Sequence, residues 1–331
     1  MKQSRNWAVP FFTIWTGQAF SLLGSRLAQF ALVWWVTETT GSATVLATAT
    51  LAALLPEVLL GPFVGALVDR WNRRRMMMIA DGCIALLSLW VVYLFWSGSI
   101  QVWHIYLIMV ARSLGGVFHW PAMQSSTSLM VPKEQLARVA GMNQTLFGAL
   151  NIVAPPLGAL LMSLLPLYSV MAIDVVTALM AIVPLAFISI PQPAAAEQLG
   201  ASPFRSLWTD VKAGFGYIWN WKGLLGVCLL AMLLNFFVSP AMQLLPILVT
   251  THFKGAALQL GWLESGWGAG LLSGGLVLAV FGGFKRRIVT GMLGIIGLGI
   301  GVFLVGLTPA QLFPMAIGGL FFGGVMNALC N

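Results

Sequence analysis

Apolar runs of about twenty residues or more follow one another along almost the whole chain, broken by short polar turns. Little else constrains a fold so tightly. In lipid, every backbone donor and acceptor must be satisfied within its own segment or around a closed barrel. These runs are continuous and do not alternate with period two, so they specify helices. Apolar residues make up 59% of the chain and mean hydropathy is +0.91, whereas soluble domains hold about 45–50% apolar residues. The expected fold is an all-α polytopic membrane protein. Ten spans are expected, near residues 9–36, 43–68, 76–97, 102–125, 140–164, 167–190, 222–250, 256–282, 288–307 and 310–331.

The net charge of +8 does not point to nucleic acid, because the cations crowd into short turns beside apolar spans. With the N-terminus inside, inner segments hold 14 Lys and Arg, from Lys2 and Arg5 to Lys285, Arg286 and Arg287, while the outer loops hold only Lys254. That asymmetry predicts a multi-pass membrane protein with a cytoplasmic N-terminus. The densest turn is Gly65-Ala66-Leu67-Val68-Asp69-Arg70-Trp71-Asn72-Arg73-Arg74-Arg75. A second basic turn, Lys285-Arg286-Arg287, follows 212 residues after Arg73-Arg74-Arg75 and marks a weak internal repeat of the kind transporters show. The long polar stretch from Pro191 to Lys222 separates the copies, its second part reading as an amphipathic helix with Trp208, Trp219 and Trp221 at headgroup depth. The division expected is a six-helix bundle over 1–190, a cytoplasmic linker over 191–221 and a bundle of about four helices over 222–331. On a six-plus-six repeat that second bundle is incomplete, so a C-terminally truncated chain, unstable or inactive alone, is the expectation.

Cys83, Cys228 and Cys330 lie in apolar runs and imply no disulfide framework. No phosphate-binding Gly-x-x-x-x-Gly-Lys-Ser/Thr loop occurs, and His104, His119 and His252 are far apart in sequence. No nucleophile with an adjacent base stands out, so neither enzyme chemistry nor a metal or other cofactor is expected. A channel would need a polar stripe repeated over several spans, and the polar residues here are sparse.

Gly65 to Arg75 resembles the loop between helices two and three of the major facilitator superfamily, Gly-x-x-x-Asp-Arg-x-x-Arg-Arg-Arg, with Asn72 in place of the usual second glycine. Arg112 and Gly116 are similar to that family's Arg-x-x-Gln-Gly signature in helix four, with Gly115 where glutamine is usual. Ala154-Pro155-Pro156-Leu157-Gly158-Ala159 resembles its antiporter signature in helix five, with two glycines replaced by alanine. Phe30 to Trp35, Gly41-Ser42-Ala43 and Asp69 to Arg75 resemble the macrolide-efflux and enterobactin-exporter branch. The resemblance implies proton-coupled export of a drug-like or siderophore-like amphipathic compound by a monomer that rocks two bundles about a central cavity. An uncoupled or importing facilitator is the alternative.

Charges inside spans are costly and are therefore candidates for function. Arg112 is either the proton-relay or substrate-orienting cation that the resemblance implies, or a structural arginine bonded to carbonyls. Glu57 is a candidate protonation site, because removal from water penalises a charged carboxyl; an ion pair with Arg26 is the rival reading. Glu264 and Asp174 are further candidates, Asp174 rather as a helix brace. Asp81 is expected to bridge to Arg73, Arg74 or Arg138. Asp69 and Arg70 are an inner-gate latch by resemblance and a solvated turn by composition. Pro155, Pro156 and Gly158 predict a kinked, closely packed fifth helix. Gln18, Asn143, Gln144, Asn151 and Asn235 are candidates to line a cavity or to bond across helices.

Overall fold

A computed structural model describes residues 7–190, 212, 214–281 and 287–330. The linker around Trp208, the basic turn at 282–286, and the side chains of Gly65, Asp69 and Arg70 lie outside the described residues. The helices are α1 (Ala8–Thr40), α2 (Ala43–Arg70), α3 (Arg73–Trp96), α4 (Val102–Met130), α5 (Leu136–Leu164), α6 (Leu167–Phe187), α7 (Lys222–Gln243), α8 (Leu245–Thr251), α9 (Ala257–Phe281), α10 (Arg287–Leu307) and α11 (Phe313–Cys330). One end of the bundle carries the basic turns; the opposite end, here the far end, carries the α1–α2, α3–α4 and α5–α6 turns. α7 and α8 together make one broken span, interrupted at Leu244, just before Pro246, which has no N–H to offer the Met242 carbonyl.

Local chemistry sets the boundaries. α1 stops at Gly41, whose left-handed φ of 57° suits glycine, and Ser42 then caps α2 by accepting the Val45 N–H. Asn72, at the place where the family pattern carries glycine, caps α3 by accepting the Arg75 N–H at 3.0 Å. His104 Nδ1 accepts the Gln101 N–H and closes the start of α4.

Among the described residues, nine helices are long and apolar enough to cross a membrane. The tenth expected span, α4, has 29 residues but falls short in hydropathy, because it carries Arg112 and two histidines. Its polar side chains are sheltered: Ile105, Ile108 and Met109 are buried beside Arg112, and α2 and α3 pack along it. Helices α1–α6 form one bundle and α9–α11 a second. The pair α5–α9 joins them, running antiparallel from Gly148 against Leu272 to Pro155 against Gly261. A buried apolar cluster also joins them toward the far end. It brings Phe30, Trp34 and Ala159 against Leu245, Val249, Leu260 and Leu263. The clusters nearer the basic end, around Met77 and Met123 and around Phe11 and Val139, draw only on the first six helices and the turns that border them.

Candidate functional site

Two polar layers cross the first bundle. Gln18 and Ser25 on α1, Asp81 and Ser88 on α3, and Arg112 and His119 on α4 are each seven residues apart, two helical turns or about 10 Å. Each helix therefore gives one side chain to each layer. In the layer nearer the far end, Arg112 pairs with Asp174 of α6 at 2.5 Å. Ser88 donates to the same carboxylate and accepts from Arg112 at 2.7 Å, and Ser25 donates to the other Asp174 oxygen at 3.0 Å. Asp174 is fully buried, so its charge is offset by one cation and two hydroxyls from three other helices. Gly24 lets α1 approach α6 here, since a Cβ on it would lie 3.2 Å from Asp174 Cα and overlap Thr177.

In the layer nearer the basic end, Gln18 donates to Asp81 at 3.0 Å. His119 Nε2 lies 3.2 Å from the other Asp81 oxygen, within ion-pair contact but off the line of a hydrogen bond. The expected bridge from Asp81 to the arginine turn is replaced by these contacts. Arg74 is turned away from it and donates to the carbonyls of Leu185 and Ala186, which end α6. It thereby places a cation where the helix dipole is negative.

Between the bundles is a cavity of about 360 Å³. Arg26, Gln29, Phe30 and Val33 of α1, Leu150, Asn151, Ala154 and Pro155 of α5, Met242 and Gln243 of α7, and Glu264, Trp267 and Leu271 of α9 line it. Arg26 and Glu264 interact electrostatically across it without ion-pair contact. Arg26 thus faces Glu264 rather than Glu57, which is exposed on α2 and does not line the cavity. Arg26 is also the neighbour of Ser25, so adjacent residues of α1 serve the cavity and the Asp174 layer.

Of the expected cavity amides only Asn151 lines it. Gln18 is withdrawn into the Asp81 layer, and Asn143 accepts a 2.8 Å bond from the Trp15 indole. Asn235 is exposed and donates to the carbonyl of Ala231 in its own helix, and Gln144 is also exposed. A lone amide on a helix is most easily satisfied by the preceding turn or an adjacent helix, which explains why Gln18, Asn143 and Asn235 do not reach the cavity.

Pro155 and Pro156 do more than bend α5. Lacking N–H groups, they leave the carbonyls of Asn151 and Ile152 without helical donors. Ser265 of α9 donates to Ile152 O at 2.6 Å. The backbone at Asn151 meets Gly268, where a Cβ would stand 2.9 Å from the carbonyl oxygen. Gly261 meets Pro155 and Pro156 just as closely, with its Cβ position 2.9 Å from Pro156 Cα. Gly158 packs on Phe30. The double proline thus creates an acceptor, and the small residues of α9 are shaped to approach it. At the far end, His252 Nε2–H donates to Thr308 O at 2.9 Å.

Residues 14–331 match the family model described as Major Facilitator Superfamily. The chain is 35% identical over 337 residues to macrolide efflux protein A of Streptococcus pyogenes, covering 99% of this chain and 82% of that protein. It is 33% identical to macrolide efflux protein A of Enterococcus faecalis, covering 87% and 91%. It is 24% identical to the multidrug efflux pump Tap of Mycobacterium bovis, covering 96% and 77%. The fold is also similar to an inward-facing, unoccupied bacterial homologue of the human lysosomal transporter Spinster. That match has a TM-score of 0.71 at 13% identity, over 98% of this chain and 75% of that one.

Proposed function

We propose, because this chain belongs to the major facilitator superfamily of membrane transporters, that it exports an amphipathic, macrolide-like compound in exchange for protons. The carrying observation is the cavity between the bundles. Its wall is largely apolar, set with one carboxylate, one guanidinium and three amides, which suits a bulky compound bearing an ionisable group. The names of the relatives in Streptococcus and Enterococcus support the macrolide class.

The apolar cluster of Phe30, Trp34, Leu260 and Leu263 closes the cavity toward the far end. With the basic turns in the cytoplasm, as lysine and arginine placement favours, this is an inward-facing arrangement. Export then requires that cluster to part while the bundles close at the basic end, pivoting on the α5–α9 pair. Glu264 reaches the cavity from the second bundle and Arg26 from the first. Protonation of Glu264 releases Arg26 from it and lets an emptied cavity return. The chain works as a monomer in the cytoplasmic membrane.

The test is accumulation of radiolabelled erythromycin in a macrolide-susceptible bacterium. Expression should lower accumulation, and a protonophore or Glu264→Gln should restore it. Unchanged accumulation with the protein demonstrably in the membrane overturns macrolide export. Lowered accumulation that ignores the protonophore overturns proton exchange alone.

A further inference from the structure

We infer that Asp81 and His119, with Gln18 against them, form a proton-binding site inside the six-helix bundle, separate from the cavity. The inference rests on the proton-exchange reading above and gives that proton a second place to bind.

Charge balance carries it. The Arg112–Asp174 layer holds one fixed cation and one carboxylate. The Asp81 layer holds a carboxylate that is 4% exposed and, among the described residues, has no fixed cation in contact with it. A carboxylate in such surroundings is tolerated only if it is paired or neutralised. Among the described residues, the charged and titratable groups around it are all committed or distant. α1 offers only the amide of Gln18. On α4, Arg112 is two turns away and engaged by Asp174. On α6, Asp174 is equally distant, and Ala178 and Ala181 occupy the intervening turns. On α5, Arg138 is exposed and Asn143 is bonded to Trp15. From α2 come Leu60, Val64 and Val68. On α3 itself, Arg74 serves the end of α6 and Arg73 lies two turns toward the basic end. Among the described residues, only His119 lies close enough to supply the missing positive charge, and an imidazole carries that charge only with a proton on both ring nitrogens.

A second observation points the same way. The Gln18 side chain is fully buried, and its carbonyl oxygen has no hydrogen-bond partner; the same is true of His119 Nε2. One of these buried atoms, His119 Nε2, faces the Asp81 carboxylate and the other belongs to the amide that donates to it, so the network is incomplete, as expected of a site poised between two protonation states. One turn toward the basic end, Ile14, Met77, Met123 and Leu185 seal the layer in apolar contact. Toward the far end the Arg112 layer covers it. A proton taken up at this site is occluded here, and its release requires the bundle to shift.

The experiment uses the chain in proteoliposomes with radiolabelled erythromycin and two measurements. Exchange at equal pH on both sides needs no net proton movement, whereas uphill accumulation needs the gradient. One pH unit supports about tenfold accumulation per proton exchanged. Asp81→Asn and His119→Gln are expected to keep exchange near the wild-type rate while accumulation falls to a ratio of about one. His119→Arg, which keeps a fixed cation against Asp81, should do the same. Wild-type accumulation retained in all three variants overturns the site. So does loss of exchange in all three while the protein stays folded, because that marks a structural or gating role. No erythromycin exchange by the wild type defeats the macrolide reading, and exchange that no gradient drives defeats proton coupling and this site with it.

Discussion

Replacing Ser265 with alanine tests the claim that the double proline of α5 is completed from the other bundle. The hydroxyl donates to Ile152 O at 2.6 Å, and Pro156, four residues on, has no N–H to offer that carbonyl. Hydrogen bonds between membrane helices average about 0.6 kcal/mol and reach about 1.7, and an orphaned buried acceptor costs about 1–3. Ser265→Ala should therefore cost about 1 kcal/mol, a factor of about five in the folding equilibrium. The diagnostic comparison is a cycle with Pro156→Ala, which returns an N–H to the Ile152 carbonyl. In that background Ser265→Ala should cost nearly nothing. Reversible unfolding in mixed micelles with increasing sodium dodecyl sulfate reads all four proteins. An equal cost of Ser265→Ala in both backgrounds would refute the reasoning, since the acceptor would then not be the one freed by proline.

Arg112→Gln or Asp174→Asn leaves one charge buried and unpaired, a loss of about 3–5 kcal/mol; the double variant should recover part of it, read as melting temperature in detergent. Gly24→Val should block the close approach of α1 to Thr177 and Asp174 and abolish a monodisperse, folded protein in size-exclusion chromatography. Arg74→Ala removes two charge-assisted bonds to the end of α6, each worth about 1.5–3 kcal/mol at most, less where solvent reaches them; the same melting assay should show a smaller drop than Asp174→Asn.

The helices and their order were legible because the apolar runs are long and each turn carries its own punctuation, such as Gly41-Ser42. Arg112 and Glu264 were legible as charges where lipid should be. Their partners were not, because Asp174 and Arg26 become neighbours only through helix packing over long sequence separations. Ser25, Ser88 and His119 carried a signal that was present but faint: polar residues seven apart in three different spans. Ser265 carried almost none, since a serine among glycines on α9 gains its meaning only from prolines more than a hundred residues away. Asp81 shows the limit of proximity along the chain. The nearby arginines were the natural partners on paper, yet helix geometry turns Asp81 toward Gln18 and His119.

The seven-residue spacing of the two polar layers has a mechanical consequence. A helix pinned to its neighbours at a single level can still swivel about that point. α1, α3 and α4 are each pinned at two levels, which removes the swivel as well as the slide. An α-helix returns to within about 20° of the same face after seven residues, so both pins on each helix engage without strain. While both levels hold, the first bundle can transmit torque as one solid piece, and the compliance is left to the seam where α5 meets α9.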